Sequence, residues 1–97
     1  MVDEQKILTL LGFANKAGKL AIGKSAVLNS IKKEKASLVI MANDASEKLV
    51  NEIGQIKTAQ LENTTKYELG RILGRNEVAI LGVCDAQFYK SIKWYLT

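Results

Sequence analysis

The chain has 97 residues, 47% of them hydrophobic, with no Pro, no His, a single Cys and a formal net charge of +4. This predicts one compact domain over 1–97. It excludes a disordered, linker-rich chain and offers no apolar run near the roughly 18 residues of a membrane span. With no His and only Cys84, ordinary zinc sites and an internal disulfide are excluded, and the commonest general base is missing.

Residues 4–17 place Ile7, Leu10, Leu11 and Ala14 on one stripe of a helix, with Lys16 in its last turn and Gly18 at its end. Leu20 to Ile22 fits a short strand. Ser25 to about Glu34 reads as a second helix burying Val27, Leu28 and Ile31. Ser37 to Ala42 (SLVIMA) is a continuous apolar run, as in a strand covered on both faces. A turn at 43–46 leads to a short third helix, Ser46 to Ile53, stopped by Gly54. Gln55 to Leu61 alternates weakly, as a half-exposed strand. Asn63, Thr64 and Thr65 open a fourth helix through Tyr67, Leu69, Ile72 and Leu73, closed by Gly74. Glu77 to Val83 is a second strongly apolar strand, and Ala86 to Leu96 a last helix with Phe88, Ile92 and Tyr95 on one face. Strict alternation of helix and strand predicts an α/β fold with helices on both sides of one sheet.

Gly18 to Ser25 (GKLAIGKS) satisfies the P-loop spacing G-x-x-x-x-G-K-[ST]. A P-loop needs a buried strand before its first glycine and a flexible cradle after it. Here a helix precedes Gly18, and Leu20 to Ile22 has strand character. Asp44 or Asp85 could hold magnesium in that scheme. The helix before the loop and the short chain speak against a nucleotide hydrolase, so no catalytic residue, metal or cofactor is expected.

The same step has a second chemical use. From Lys16 to Lys35 there are six lysines and one acid, Glu34, an excess of five that is larger than the net charge of the whole chain. Unpaired backbone amides at a helix start attract phosphate, and a local basic patch suits a nucleic-acid backbone. In this reading Lys19, Lys24 and Lys32 contact phosphates, Gly23 lets the backbone approach, and Ser25 and Asn29, four apart on one helix face, reach base edges. Ser25 could instead simply cap the helix. The aromatics Tyr89, Trp94 and Tyr95 could stack bases or anchor the terminal helix to the sheet.

The segments LLGFANKAGKL, IGKS, KKEKASLVIMANDAS and YELGRILGRNEVAILGV resemble the bacterial branch of the ribosomal L-seven-Ae and L-thirty-e family, kink-turn RNA binders. The resemblance implies a three-layer α-β-α sandwich on one mixed sheet of about four strands, and a non-enzymatic, ribosome-associated RNA-binding protein. The family's Asn, Glu and Lys positions hold Ser25, Ala26 and Asn29 here. Ser25 can make one hydrogen bond to a guanine edge, Ala26 supplies no carboxylate and Asn29 no charge. The family's second contact is expected in the loop after the last strand, where Val83 would cover the kink or else end the strand inside the core. Cys84 reads as a small hydrophobe. The segment from Asn43 to Glu68 is about one helical turn short, so a stunted third helix and an edge strand after it are expected. The expected partner is structured RNA, ribosomal or messenger, with no DNA and no membrane, bound by a monomer. The polar, acidic start and the lone thiol suggest a cytoplasmic location. The main rival is a protein-interaction module that kept the fold and lost the RNA.

Overall fold

The computed structural model describes residues 2–53 and 57–96. Its elements are α1 (Glu4–Lys16), β1 (Leu20–Ile22), α2 (Lys24–Lys32), β2 (Leu38–Met41), α3 (Glu47–Ile53), β3 (Thr58–Gln60), α4 (Lys66–Ile72), β4 (Ile80–Val83) and α5 (Ala86–Leu96). The order matches the sequence reading. The expected stop at Gly54 and the expected strand residues Gln55 and Ile56 lie outside the described residues.

Local chemistry fixes the helix starts. The Asp3 carboxylate accepts the Lys6 N–H at 3.2 Å and opens α1. Thr65 and Glu68 form a reciprocal capping box at α4, each side chain accepting from the other's end of the turn. The Glu4 carboxylate accepts from the Glu62 and Asn63 amides and the Thr64 hydroxyl, tying α1 to the segment before α4.

The sheet order is β1-β4-β2-β3. β4 is antiparallel to both neighbours, and β2 and β3 are parallel. The period-two alternation of the central strands builds two cores. Leu38, Ile40, Leu81 and Val83 point to one face, where they meet Ile7 and Leu11 of α1, Leu69 of α4 and Ile92 of α5. Val39, Met41 and Ile80 point to the other, against Val27 of α2 and Ile53 of α3. The result is a three-layer α-β-α sandwich on a mixed four-stranded sheet. Burying each of these Leu and Ile side chains stabilises the fold by about 1.5–3 kcal/mol.

β3 is a three-residue edge strand and α3 has seven residues, so both are short, as the reduced spacing between Asn43 and Glu68 suggested. Two core assignments change. Leu28 is 39% exposed rather than buried. Val27 and Ile31 face the sheet, and Leu28 sits about 100° further round the helix from Val27. In α1, Leu8 is buried while Leu10 is only partly covered, packed on the rim of the core. Among the described residues no helix is long and apolar enough to cross a membrane.

Candidate nucleic-acid interface

The start of α2 is set by Gly23. Its N–H donates to the Ile80 carbonyl at 3.0 Å, which ends the β1–β4 ladder, and its carbonyl accepts the Val27 N–H at 3.0 Å, which begins the helix. Serving both elements requires φ of 94°, a conformation open to glycine and strained for side chains with a Cβ. Nothing lies within 4 Å of the place a Cβ would occupy, so the backbone is open to approach. No side chain caps this helix. Ser25 is its second residue and exposed, so capping is not its role. Among the described residues the amides of Lys24, Ser25 and Ala26 have no protein acceptor. Together with the helix dipole they give this tip a partial positive charge of the kind that attracts anions.

Asn29 and Lys32 continue the exposed face that begins at Ser25. Lys19 does not stand beside Lys24. Its carbonyl accepts the Cys84 N–H at 2.8 Å, whereas Gly23 bonds to Ile80, so the two mark opposite ends of β4. α2 runs back from Gly23 along the sheet, and Lys32 lies about 12 Å along its axis from Lys24. Gly23, Lys24 and Ser25 therefore gather at one end, Lys19 and Lys32 belong to the other, and Asn29 lies between them along α2.

Val83 does not fit the role expected of it. It is fully buried, pointing into the α1, α4 and α5 face, because its strand position sends it away from α2. The loop after β4 is also at the wrong end to join the α2 tip. The loop that does join it precedes β4. Arg75 and Glu77 form one wall of a cleft of about 380 Å³ whose other walls are Gly23 and Lys24 on one side and Leu49 and Glu52 of α3 on the other. Sequence reasoning missed Arg75. The available signal was a cation directly after a helix-ending glycine and just before an apolar strand. Gly70 holds this loop in place, because the Glu77 backbone packs where a side chain would start.

Lys24 is not free. Its ammonium pairs with the Glu52 carboxylate. The hydrogen bond from Lys24 draws that carboxyl below the usual carboxylate value, against an opposing desolvation, with the charges of Lys24 and Lys48 adding to the lowering. A depressed pKa means the pair is intact at neutral pH and is lost only as pH falls through the lowered value. A phosphate that uses Lys24 must displace Glu52. Glu52→Ala is accordingly expected to tighten binding of a polyanion about two- to fivefold at low salt, a modest gain for an exposed pair. Fluorescence anisotropy with labelled RNA measures it, and unchanged or weaker binding contradicts the competition.

The P-loop spacing is met by residues that form no loop. Leu20–Ile22 are an extended strand paired antiparallel with β4, not a turn wrapped around a phosphate. Asp44 accepts the Lys66 N–H at 2.8 Å and Asp85 the Phe88 N–H at 2.9 Å, so each carboxylate sits at the start of a helix. Tyr89 and Tyr95 pack on the core as anchors, while Trp94 is 77% exposed.

Known proteins resemble this chain in sequence and in fold. The family model described as ribosomal protein L7Ae/L30e/S12e/Gadd45 matches residues 5–93. An RNA-binding protein YlxQ from Enterococcus faecium is 32% identical over 95 residues, covering 94% of this chain and 91% of that protein. The RNA-binding protein YlxQ of Bacillus subtilis (strain 168) is 30% identical over 83 residues, 81% and 83% of the two chains. A Bacillus halodurans protein of unknown function superposes with a TM-score of 0.85 at 28% identity, over 93% of this chain and 95% of that one. A Giardia lamblia 15.5kD RNA binding protein shares the fold, with a TM-score of 0.72 at 18% identity, over 95% and 82% of the chains. The family match spans all four strands and the helix opened by Gly23, and the chain belongs to the ribosomal protein L7Ae/L30e/S12e/Gadd45 family.

Proposed function

We propose that this protein binds structured RNA at a bend or bulge, without catalysing a reaction, and that the α2 tip is where the bend is held. The observation that carries this reading is the uncapped, glycine-opened start of α2 beside a cleft with cations on two walls. The RNA-binding relatives support it in kind. Phosphate sits on the amides of residues 24–26, and Lys24 and Arg75 flank it. Ser25 and Asn29 reach base edges from the exposed face of α2. Leu49, half-buried on the α3 wall of the cleft, is apolar and suits an unstacked base, which RNA recognition commonly splays onto nonpolar groups.

Kink-turn RNA of ribosomal or messenger origin is the form proposed. Ala26 and Asn29 remove a carboxylate and a charge from the base-reading positions, so discrimination rests on Ser25 more than in relatives with the full set. A gel-shift series with kink-turn and straight duplex RNA at several salt concentrations tests the proposal. The wild type is expected to prefer the kinked RNA, and Ser25→Ala to reduce the preference about three- to tenfold, the worth of one hydrogen bond. Equal affinity of the wild type for both RNAs refutes recognition of a bend. Retention of neither RNA favours the second reading, a protein-interaction module, for which the exposure of Trp94 at 77% and Phe13 at 57% is the supporting observation.

A further inference from the structure

We infer that the end of the molecule opposite the α2 tip is a second RNA-backbone surface, so that one RNA is held at two places joined by the exposed face of α2. This rests on the RNA reading above but concerns different residues.

The charge at the α2 tip is small. Lys24, Lys48 and Arg75 stand there with Glu52 and Glu77, an excess of only one. The positive charge is concentrated elsewhere. Hydrogen bonds from Cys84 to Lys19, from Ser37 to Val83 and from Val39 to Lys57 bring the starts of β1, β2 and β3 to one end of the sheet. There Lys19, Lys33, Lys35, Lys57 and Lys93 are all exposed. They come from four separate segments and meet two acids, Glu34 and Asp85, of which Asp85 is already engaged with the Phe88 N–H. The one ion pair among the described residues joins Lys24 and Glu52 at the tip, so none of these five lysines has a carboxylate partner.

Tyr89 adds a specific feature. The ammonium groups of Lys57 and Lys93 both lie over its ring, 5.3 and 5.7 Å from the centroid. A half-buried aromatic thus gathers two like charges from β3 and α5 that would otherwise separate. An anion between them relieves the repulsion. The cations are spread over a whole end of a molecule about 26 Å across, which suits a polyanion rather than a small anion. The exposed positions Ser25, Asn29 and Lys32 run from the tip toward this end over the roughly 13 Å length of α2. An RNA arm leaving the bend along that helix reaches Lys33 and Lys35, then the Tyr89 clamp.

The test compares a minimal kinked RNA with the same RNA extended by about one helical turn on each arm, by anisotropy across a salt series. Extension is expected to tighten wild-type binding about tenfold and to steepen the salt dependence by about two units. Lys57→Ala with Lys93→Ala should cancel most of that gain, as should Lys33→Ala with Lys35→Ala. Both double variants should keep wild-type affinity for the minimal RNA and its preference over straight duplex. Circular dichroism and thermal melting check that these exposed changes leave the fold intact. No gain on extension, or a gain that survives both double variants, overturns the inference and leaves the patch to an acidic protein partner. If the minimal kinked RNA shows no preference but long RNA still binds through these lysines, the bend reading fails and the second surface stands.

Discussion

Replacing Lys24 and Arg75 together by Ala is expected to lower affinity for kinked RNA about a hundredfold at low salt. Each side chain offers a charge-assisted hydrogen bond from a different wall of the cleft, Lys24 from α2 and Arg75 from the loop before β4. Such contacts are individually worth about 1.5–3 kcal/mol, or roughly tenfold or more each. The Lys24 contribution is reduced by the competing Glu52 carboxylate, so Arg75→Ala is the more damaging single change. The salt dependence should flatten by about two units, because two phosphate neutralisations are lost. Filter binding at four or five salt concentrations reads both quantities. Loss of stability does not account for the effect, since both side chains are exposed and removing a surface charge is worth a few tenths of a kcal/mol. A double variant that binds like wild type removes the cleft from the interface.

Gly70→Ala is expected to destabilise the fold by about 2–3 kcal/mol, the cost of overpacking a filled site. A Cβ there would stand 2.7 Å from the Glu77 Cα and 2.9 Å from both the Asn76 carbonyl oxygen and the Glu77 nitrogen. These are backbone atoms, so no side chain can swing aside. The loop itself must move, and Arg75 with it. In a chain of this size the fall in Tm is roughly 10–20 °C. Gly12→Ala is the matched control. That glycine is also helical, but a Cβ would meet only the Ile72 Cγ2 at 3.9 Å. Removing glycine's conformational freedom from α1 should stabilise by about 0.5–1 kcal/mol. Thermal melts of the two variants should therefore move in opposite directions. RNA affinity should fall only for Gly70→Ala, through displacement of the loop. Equal and small shifts in both would mean that α4 and the loop relax apart freely.

Much of the architecture follows from short-range patterns. The apolar runs at Leu38–Met41 and Ile80–Val83 are continuous because both faces of these strands are covered, and period-two geometry needs no partner to be read. The helix ends at Gly18 and Gly74 are legible because both adopt positive φ. Gly23 was identified as the opening of α2, and the missing side-chain cap follows from its being glycine.

Placement of charge was a different matter. Lys19, Lys24 and Lys32 are close in sequence and read as one patch, yet an antiparallel ladder sends Lys19 and Gly23 to opposite ends of β4. Val83 was open to either role from sequence, and the strand register alone turns its side chain into the α1, α4 and α5 core. Which loop borders the α2 tip is likewise a property of sheet order. β4 lies beside β1 and runs antiparallel to it, so the segment entering β4, and not the one leaving it, meets Gly23. Arg75, Glu52 and the Lys57–Tyr89–Lys93 cluster come together only through contacts between residues far apart in the chain. Hydrophobic periodicity is local and survives in one dimension, so the sequence by itself determined the elements, their order and the glycine-opened helix. Relative position depends on which strands pair and in which direction, so only the tertiary structure decided where the cations and the cleft stand.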